Sequence, residues 1–269
     1  ASASPALADL DANAPMPAAG IVQSQVDALV ADPALGAATG VVVSDRLTGE
    51  VLASHLPDDP RVPASTAKLL TATAALGTLD PQGTLPTTVV AGASDDQIVL
   101  VGGGDMMLAA GEGDPAAVVG RAGLADLAAQ VAKDLELRGT TTVRLRVDDT
   151  LFSGPTTSPA WTASELNLGY VAPVAPLAVN IAKTKDGEYV PRSSDPAMAA
   201  AKVFAQRLTE AGITVTGSPS RGTAGSTARV IGEVESAPLA DVVRYALTTS
   251  DNTIAEVLGR LVAVGQGLP

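Results

Sequence analysis

Ser65 and Lys68 stand three residues apart in Pro63-Ala64-Ser65-Thr66-Ala67-Lys68, a spacing that puts a hydroxyl and an amine on one face of a helix. A serine hydroxyl is a weak nucleophile until a base takes its proton, and a partly buried lysine with a lowered pKa can be that base. In the first turn of a helix Ser65 would also sit at the positive end of the macrodipole, which favours negative charge developing nearby. Far downstream, Ser250-Asp251-Asn252 offers a second hydroxyl and a carboxamide. Each motif has an ordinary explanation as well. Ser-x-x-Lys arises by chance in many helices, and Ser250-Asp251-Asn252 followed by Thr253-x-x-Glu256 has the form of a helix N-cap with a capping box. The two in this order on one chain are much rarer than either alone.

The elements that must position these residues are legible in the hydrophobic pattern. Apolar residues recur at helical spacing over Ile21–Val30, and the stretches Gly40–Ser44 and Val51–Ser54 read as two strands around an Asp45–Glu50 turn. From Pro63 to Leu76 the pattern is helical again, opened by a proline and closed by Gly77. Thr78 to Glu235 has another texture and reads as an inserted region. It holds short strands (Gln97–Val101, Thr142–Val147), glycine turns and two helices, Ala116–Leu137 and Ala197–Ala211. After Pro238 two helical patterns return, Leu239–Leu247 and Thr253–Val264, separated by the polar break Thr248–Asn252 that carries the second motif. There is no internal repeat.

Composition narrows the chemistry by exclusion. The 269 residues are 46% apolar but only 2% aromatic, so the core must be built from many small side chains. A net charge of -12 without a Lys/Arg-rich run argues against nucleic acid as a partner. With no cysteine and one histidine, His55, neither a thiolate nucleophile, a disulfide nor a His-rich metal site can be built, and no metal or cofactor is expected. Ala1–Gly20, rich in Ala, Pro and Ser, reads as the lead left after a signal peptide is removed. Export is the expectation, with membrane association at most peripheral or through that removed segment. Gly102-Gly103-Gly104-Asp105 reads as a tight turn, since no Gly-Lys-Ser/Thr follows to make a phosphate loop. His55 reads as a packed or solvated strand residue, and Asp148 and Asp149 as the turn or cap that ends a strand.

The resemblance of this chain to a known family is carried by Pro63-Ala-Ser-Thr-Ala-Lys-Leu-Leu-Thr71, Val101-Gly-Gly-Gly-Asp105 and Val147-Asp-Asp-Thr-Leu-Phe152. Tyr170-Val-Ala-Pro-Val-Ala-Pro-Leu-Ala-Val-Asn180 and Ser236-Ala-Pro-Leu-Ala-Asp241, leading to Ser250-Asp-Asn-Thr-Ile-Ala-Glu256, extend it over nearly the whole length. The chain resembles the low-molecular-mass class C penicillin-binding proteins, the penicillin-binding protein 4 type of D-alanyl-D-alanine carboxypeptidase/endopeptidase, and especially their actinobacterial members. Ser65 and Ser250 are 185 positions apart, much further than in a class A β-lactamase, and the interval resembles the family's inserted domain.

The resemblance implies an α/β fold, a penicillin-binding (β-lactamase/transpeptidase-like) domain with a five-stranded antiparallel sheet between helices. That domain would be formed by residues 1–77 and 236–269 and interrupted by an inserted α+β domain at 78–235. It implies a serine enzyme that acts on peptidoglycan stem peptides through an acyl-enzyme and is inhibited covalently by β-lactams, in the cell wall or the space outside the membrane. Ser65 would be the nucleophile, Lys68 its base, Ser250 a proton relay and Asn252 the group that holds the substrate amide. Asp149 would meet the free amine of the peptide's diaminopimelic side chain. The family's third motif, Lys-Thr-Gly, has no match: Lys183-Thr184-Lys185 lacks the glycine and precedes Ser250. The expectation is therefore a catalytic domain incomplete at its C-terminal side. A secreted β-lactamase and a cell-wall-binding protein without catalysis remain as alternatives.

Overall fold

In the computed structural model, which describes residues 14–36 and 38–268, the chain divides into two units, Ala1–Ala64 and Ser65–Pro269. Of the expected N-terminal lead, residues 1–13 lie outside the described residues, and Ala19 and Gly20 already belong to the first helix. That first unit holds α1 (Ala19–Val30) and an antiparallel hairpin of β1 (Val41–Ser44) and β2 (Val51–His55). The turn forms because Asp45 folds its carboxylate back onto it, accepting from the Leu47 and Thr48 backbone amides at 3.0 and 2.6 Å. Helix and hairpin are joined by a side-chain amide that imitates a strand: Gln23 accepts from the Ser54 N–H at 3.1 Å and donates to the Ser54 carbonyl at 3.2 Å. His55 ends β2, half-buried. The resemblance implies five antiparallel strands; the described residues of this unit form two.

The second unit opens at Ser65, within the turn Ala64–Ala67, continues through α2 (Lys68–Thr78), and then builds a six-stranded mixed sheet. Its strands are β3 (Pro86–Ala91), β4 (Gln97–Gly102), β6 (Thr142–Asp148), β8 (Thr214–Val215), β9 (Ser220–Arg221) and β10 (Val230–Glu235). The order is β10-β3-β4-β6-β8 with β9 also on β6, antiparallel on the β10-β3-β4 side and parallel around β6. Helices α3 (Leu124–Leu137) and α5 (Pro196–Glu210) pack on it. Their shared core has one ring, Phe204, among Leu, Val, Ile and Ala. Fully burying one Leu or Phe contributes about 1.5–3 kcal/mol, and Ala197, Ala200 and Ala201 on the buried face of α5 leave room for those larger side chains.

A second core lies where β5 (Asp105–Leu108) and β7 (Leu177–Val179) pair in parallel beside α2, α6 (Leu239–Thr249) and α7 (Asn252–Gly265). Met106, Met107, Ala172, Val174 and Ile181, from the middle of the sequence, pack there against Val242, Val257 and Leu258 near its end. A short α4 (Ala163–Asn167) is opened by a Thr162–Glu165 capping box.

Three expectations change. The helix expected over Ala116–Leu137 begins only at Leu124, because the chain before it bonds to the end of β5 instead of to itself: Gly120 N–H reaches Met107 O at 2.6 Å and Ala109 N–H reaches Ala122 O at 2.8 Å. Gly113 and Gly123 pass so closely there that a Cβ on Gly123 would overlap the Gly113 amide. The helix expected over Pro63–Leu76 is two pieces, a 3-10 turn at Ala64–Ala67 and α2, which runs through Gly77 to Thr78. Ala64 enters at φ 46°, in the left-handed region, so the first turn cannot be regular α-helix. The cap of α7 is Asp251, whose carboxylate accepts from Ile254 N–H at 2.9 Å, and not a Thr253–Glu256 box. Thr253 is buried and accepts instead from the Ala172 N–H at 2.9 Å.

Candidate active site

The 3-10 turn is what sets Ser65 above Lys68, since a three-residue pitch stacks positions i and i+3 directly over one another. Lys68 Nζ donates to Ser65 Oγ at 3.1 Å. The other half of the site is brought by the break between α6 and α7, where Ser250 adopts φ 54° as the C-cap of α6 and Asp251 starts α7. That one left-handed residue turns the chain so sharply that Ser250 and Asn252 both face Lys68: Nζ lies 3.4 Å from Ser250 Oγ and 2.6 Å from Asn252 Oδ1. Ser250 Oγ donates to Ser65 Oγ at 2.9 Å. The Asn252 amide is oriented by its other end, where Nδ2 donates to the Tyr170 carbonyl at 3.0 Å.

Lys68 makes no ion pair among the described residues; its hydrogen-bond acceptors are all neutral. Burial holds its ammonium below the usual lysine value of 10.5, against the pull of the Asp251 carboxylate, which works the other way. Asp251 spends one oxygen on the helix cap and acts on Lys68 through charge alone. A lysine with a lowered pKa, in contact with a serine hydroxyl that itself accepts from a second hydroxyl, can remove the serine's proton and return one elsewhere.

Ser65, Ser250 and Asn252 line a cavity of about 660 Å³ whose wall also includes Tyr170, Lys183, Glu188, Tyr189, Arg192, Tyr245 and Asp251. Tyr170 and Tyr189 meet edge to face with ring centres 5.0 Å apart. Arg192 is a structural tie, donating to Gly169 O at 3.2 Å and to Ile181 O at 2.6 Å. Burial lowers its pKa and raises that of the Tyr245 hydroxyl.

Of the residues singled out by sequence, Ser65, Lys68, Ser250 and Asn252 come together. Asp149 does not line their cavity. It borders a smaller one of about 180 Å³, where its carboxylate accepts from Arg221 Nε at 2.9 Å while Arg221 Nη2 donates to Asp195 at 2.8 Å. Asp148 makes the turn, accepting from Thr150 and from the Ala224 amide. Gly102–Asp105 is the turn between β4 and β5, with Gly104 at φ 111°. Sequence reasoning missed Lys183, set aside as a false third motif, and Arg192 and Tyr245, which no motif marks; Tyr170 lay in a matching segment without a role. Among the described residues no cluster of three or more His, Asp or Glu could hold a metal ion, and no helix is long and apolar enough to cross a membrane.

The chain has relatives among known proteins. A carboxypeptidase of Mycobacterium tuberculosis is 38% identical over 259 residues, covering 94% of this chain and 54% of that protein. The carboxypeptidase DacB of Mycolicibacterium smegmatis is 38% identical over 272 residues, covering 100% of this chain and 57% of the relative. The chain thus spans a little over half the length of the curated relatives it matches. Penicillin-binding protein 4 of Haemophilus influenzae superposes with a TM-score of 0.66 at 20% identity, over 85% of this chain and 63% of that one. The α/β penicillin-binding fold is therefore shared. The D-Ala-D-Ala carboxypeptidase 3 (S13) family matches residues 22–191 and 181–269, and with Ser65, Ser250 and Asn252 lining one cavity and Lys68 bonded to all three the chain belongs to that family.

Proposed function

We propose that this protein is a serine D-alanyl-D-alanine carboxypeptidase/endopeptidase that acts on peptidoglycan stem peptides outside the membrane and is acylated by β-lactams. The observation that carries the reading is that Ser65 Oγ lies within hydrogen-bond reach of both Lys68 Nζ, at 3.1 Å, and Ser250 Oγ, at 2.9 Å. In the acylation step neutral Lys68 takes the Ser65 proton as Oγ bonds to the carbonyl carbon of the penultimate D-Ala. The C–N bond to the terminal D-Ala then breaks, and the proton passes from Lys68 through Ser250 to the leaving amine. Asn252 holds the amide on the acyl-donor side, and the Ser65 N–H is one donor to the oxyanion, a contact typically worth about 3 kcal/mol. Water, or an amine in transpeptidation, releases the acyl group. A lactam carbonyl mimics the scissile one and leaves an ester on Ser65.

Family membership supports the substrate class, and the crystal structure of penicillin-binding protein 4 of Haemophilus influenzae complexed with a β-lactam, a protein of the same fold, supports the inhibitor class. We also propose that residues 78–235 are an inserted domain, supported by a larger core whose residues run from Val89 to Val234. The test is mass spectrometry of the protein after penicillin: a stable adduct on Ser65 is expected. An adduct on another residue would overturn the assignment, and rapid release with turnover would make the protein a β-lactamase.

A further inference from the structure

The left-handed turn Asn180–Ile181–Ala182 is the most strained backbone of the second unit, with three consecutive non-glycine residues at φ 46, 53 and 59°. Each such residue costs energy and persists only where its surroundings over-determine it. Here they do. Ile181 is fully buried, its carbonyl accepts from Arg192, and Ser193 N–H donates to Ala182 O at 2.8 Å. Beyond the turn, Lys183 pairs with Arg192 as an antiparallel bridge, and Thr184 donates to Pro191 O from both its N–H and its hydroxyl. Gly169, at φ 75°, lets this hairpin close on the Tyr170 turn, since a Cβ there would overlap the Val190 carbonyl. The construction fixes one thing that the catalytic reading does not use, the backbone from which Lys183 enters the Ser65 cavity.

The charged groups on that wall are not equivalent. Arg192 is committed to two carbonyls, Asp251 caps α7, and Glu188 lies beside the Tyr189 hydroxyl, whose pKa it raises. Lys183 is half-buried as a residue, and its ammonium has no hydrogen-bond or ion-pair partner among the described residues. The hairpin also lies on a definite side of the site. Its Tyr189 packs on Tyr170, and the Tyr170 carbonyl holds Asn252, the group to which the proposed function gives the acyl-donor amide. We propose that Lys183 is the anion-binding group of an acyl-donor subsite, which recognises a carboxylate on the substrate N-terminal to the scissile bond. The inference rests on the proposed function for which side of the cavity is the donor side. A lone ammonium suits this task as a point charge on a flexible stem that can follow a carboxylate.

The test is binding without chemistry, so that it does not depend on acylation. Two peptides ending in D-alanyl-D-alanine, alike except that the preceding residue carries a side-chain carboxylate or the matching carboxamide, are titrated into the Ser65→Ala protein by calorimetry. The carboxylate peptide is expected to bind about tenfold more tightly, as a charge-assisted contact implies. Adding Lys183→Met should bring the ratio to about one, whereas Lys183→Arg should keep most of it. Equal affinities for the two peptides, or a ratio that survives Lys183→Met, would overturn the subsite. Penicillin labelling of the unmutated protein reports on Ser65 alone, so the two readings can fail separately.

Discussion

The Ser65 cavity and the Asp149 cluster are both polar, and both gather residues from distant parts of the chain, yet their charges are arranged in opposite ways. At Asp149 an arginine stands between two carboxylates, with Arg221 bonded to Asp149 at 2.9 Å and to Asp195 at 2.8 Å. Around Lys68 every direct partner is neutral: two hydroxyls and a carboxamide. A counterion on Lys68 would favour its ammonium and keep it from acting as a base. Neutral acceptors position the amine while burial lowers its pKa. The difference separates a cluster that holds parts of the fold together from one that can move a proton.

The contrast breaks most sharply at Ser65. Ser65→Ala removes one exposed hydroxyl, so thermal unfolding should be unchanged while labelling by a fluorescent penicillin is lost altogether. Persistent labelling would place the nucleophile elsewhere. Lys68→Ala would leave the proposed nucleophile without its proposed base, and the acylation rate should fall by about 10²–10⁴, the usual contribution of a positioned base. A rate within about tenfold of the unmutated protein would mean that a group other than Lys68 does the deprotonation.

The same contrast explains what could be read from sequence. Periodicity located α1, the hairpin, α5, α6 and α7 to within a few residues, because each buries one apolar face. It overran the start of α3, since the backbone at Gly120 and Ala122 bonds to the end of β5 instead of continuing a helix. Ser65, Lys68, Ser250 and Asn252 were legible because their spacing is short within each motif and the motifs resemble a family. Arg192 and Lys183 were not, because their positions depend on a strained turn at 180–182 that no residue pattern announces. The tie from Asn252 to Tyr170 crosses 82 positions and is visible only once the chain is folded.

A smaller effect sharpens the electrostatic side of the comparison. Asp251 raises the Lys68 pKa through charge while its carboxylate caps α7, and asparagine caps a helix about as well as aspartate. Asp251→Asn should therefore keep the helix but remove the charge that favours the Lys68 ammonium. In the proposed mechanism Lys68 works as the neutral amine, so acylation should rise as pH rises through its pKa. Lowering that pKa moves the rising limb to lower pH. An acylation profile that stays in place, or moves to higher pH, would show that Asp251 does not govern Lys68.

The smallest effect is expected at Asp149, and it decides whether the second cluster is purely structural. Its carboxylate is already paired with Arg221, so a substrate ammonium that approached it would have to displace a guanidinium before gaining anything. Ion pairs this close to solvent contribute about 0–1 kcal/mol, and Arg221 keeps Asp195 when Asp149 is changed. Asp149→Asn should then lower the unfolding temperature by no more than a few degrees and leave penicillin acylation within about threefold, with its pH limb unmoved. The discriminating measurement is turnover of two stem peptides, one with a free diaminopimelic amine and one with that amine acetylated. A change in preference of at most about threefold fits a carboxylate held by Arg221, as the energies of exposed pairs imply. A loss of about tenfold or more confined to the free-amine peptide, the scale of a charge-assisted bond, would mean that Arg221 yields its partner to substrate. The arrangement of charges at Asp149 would then be a resting state and not a fixed part of the fold.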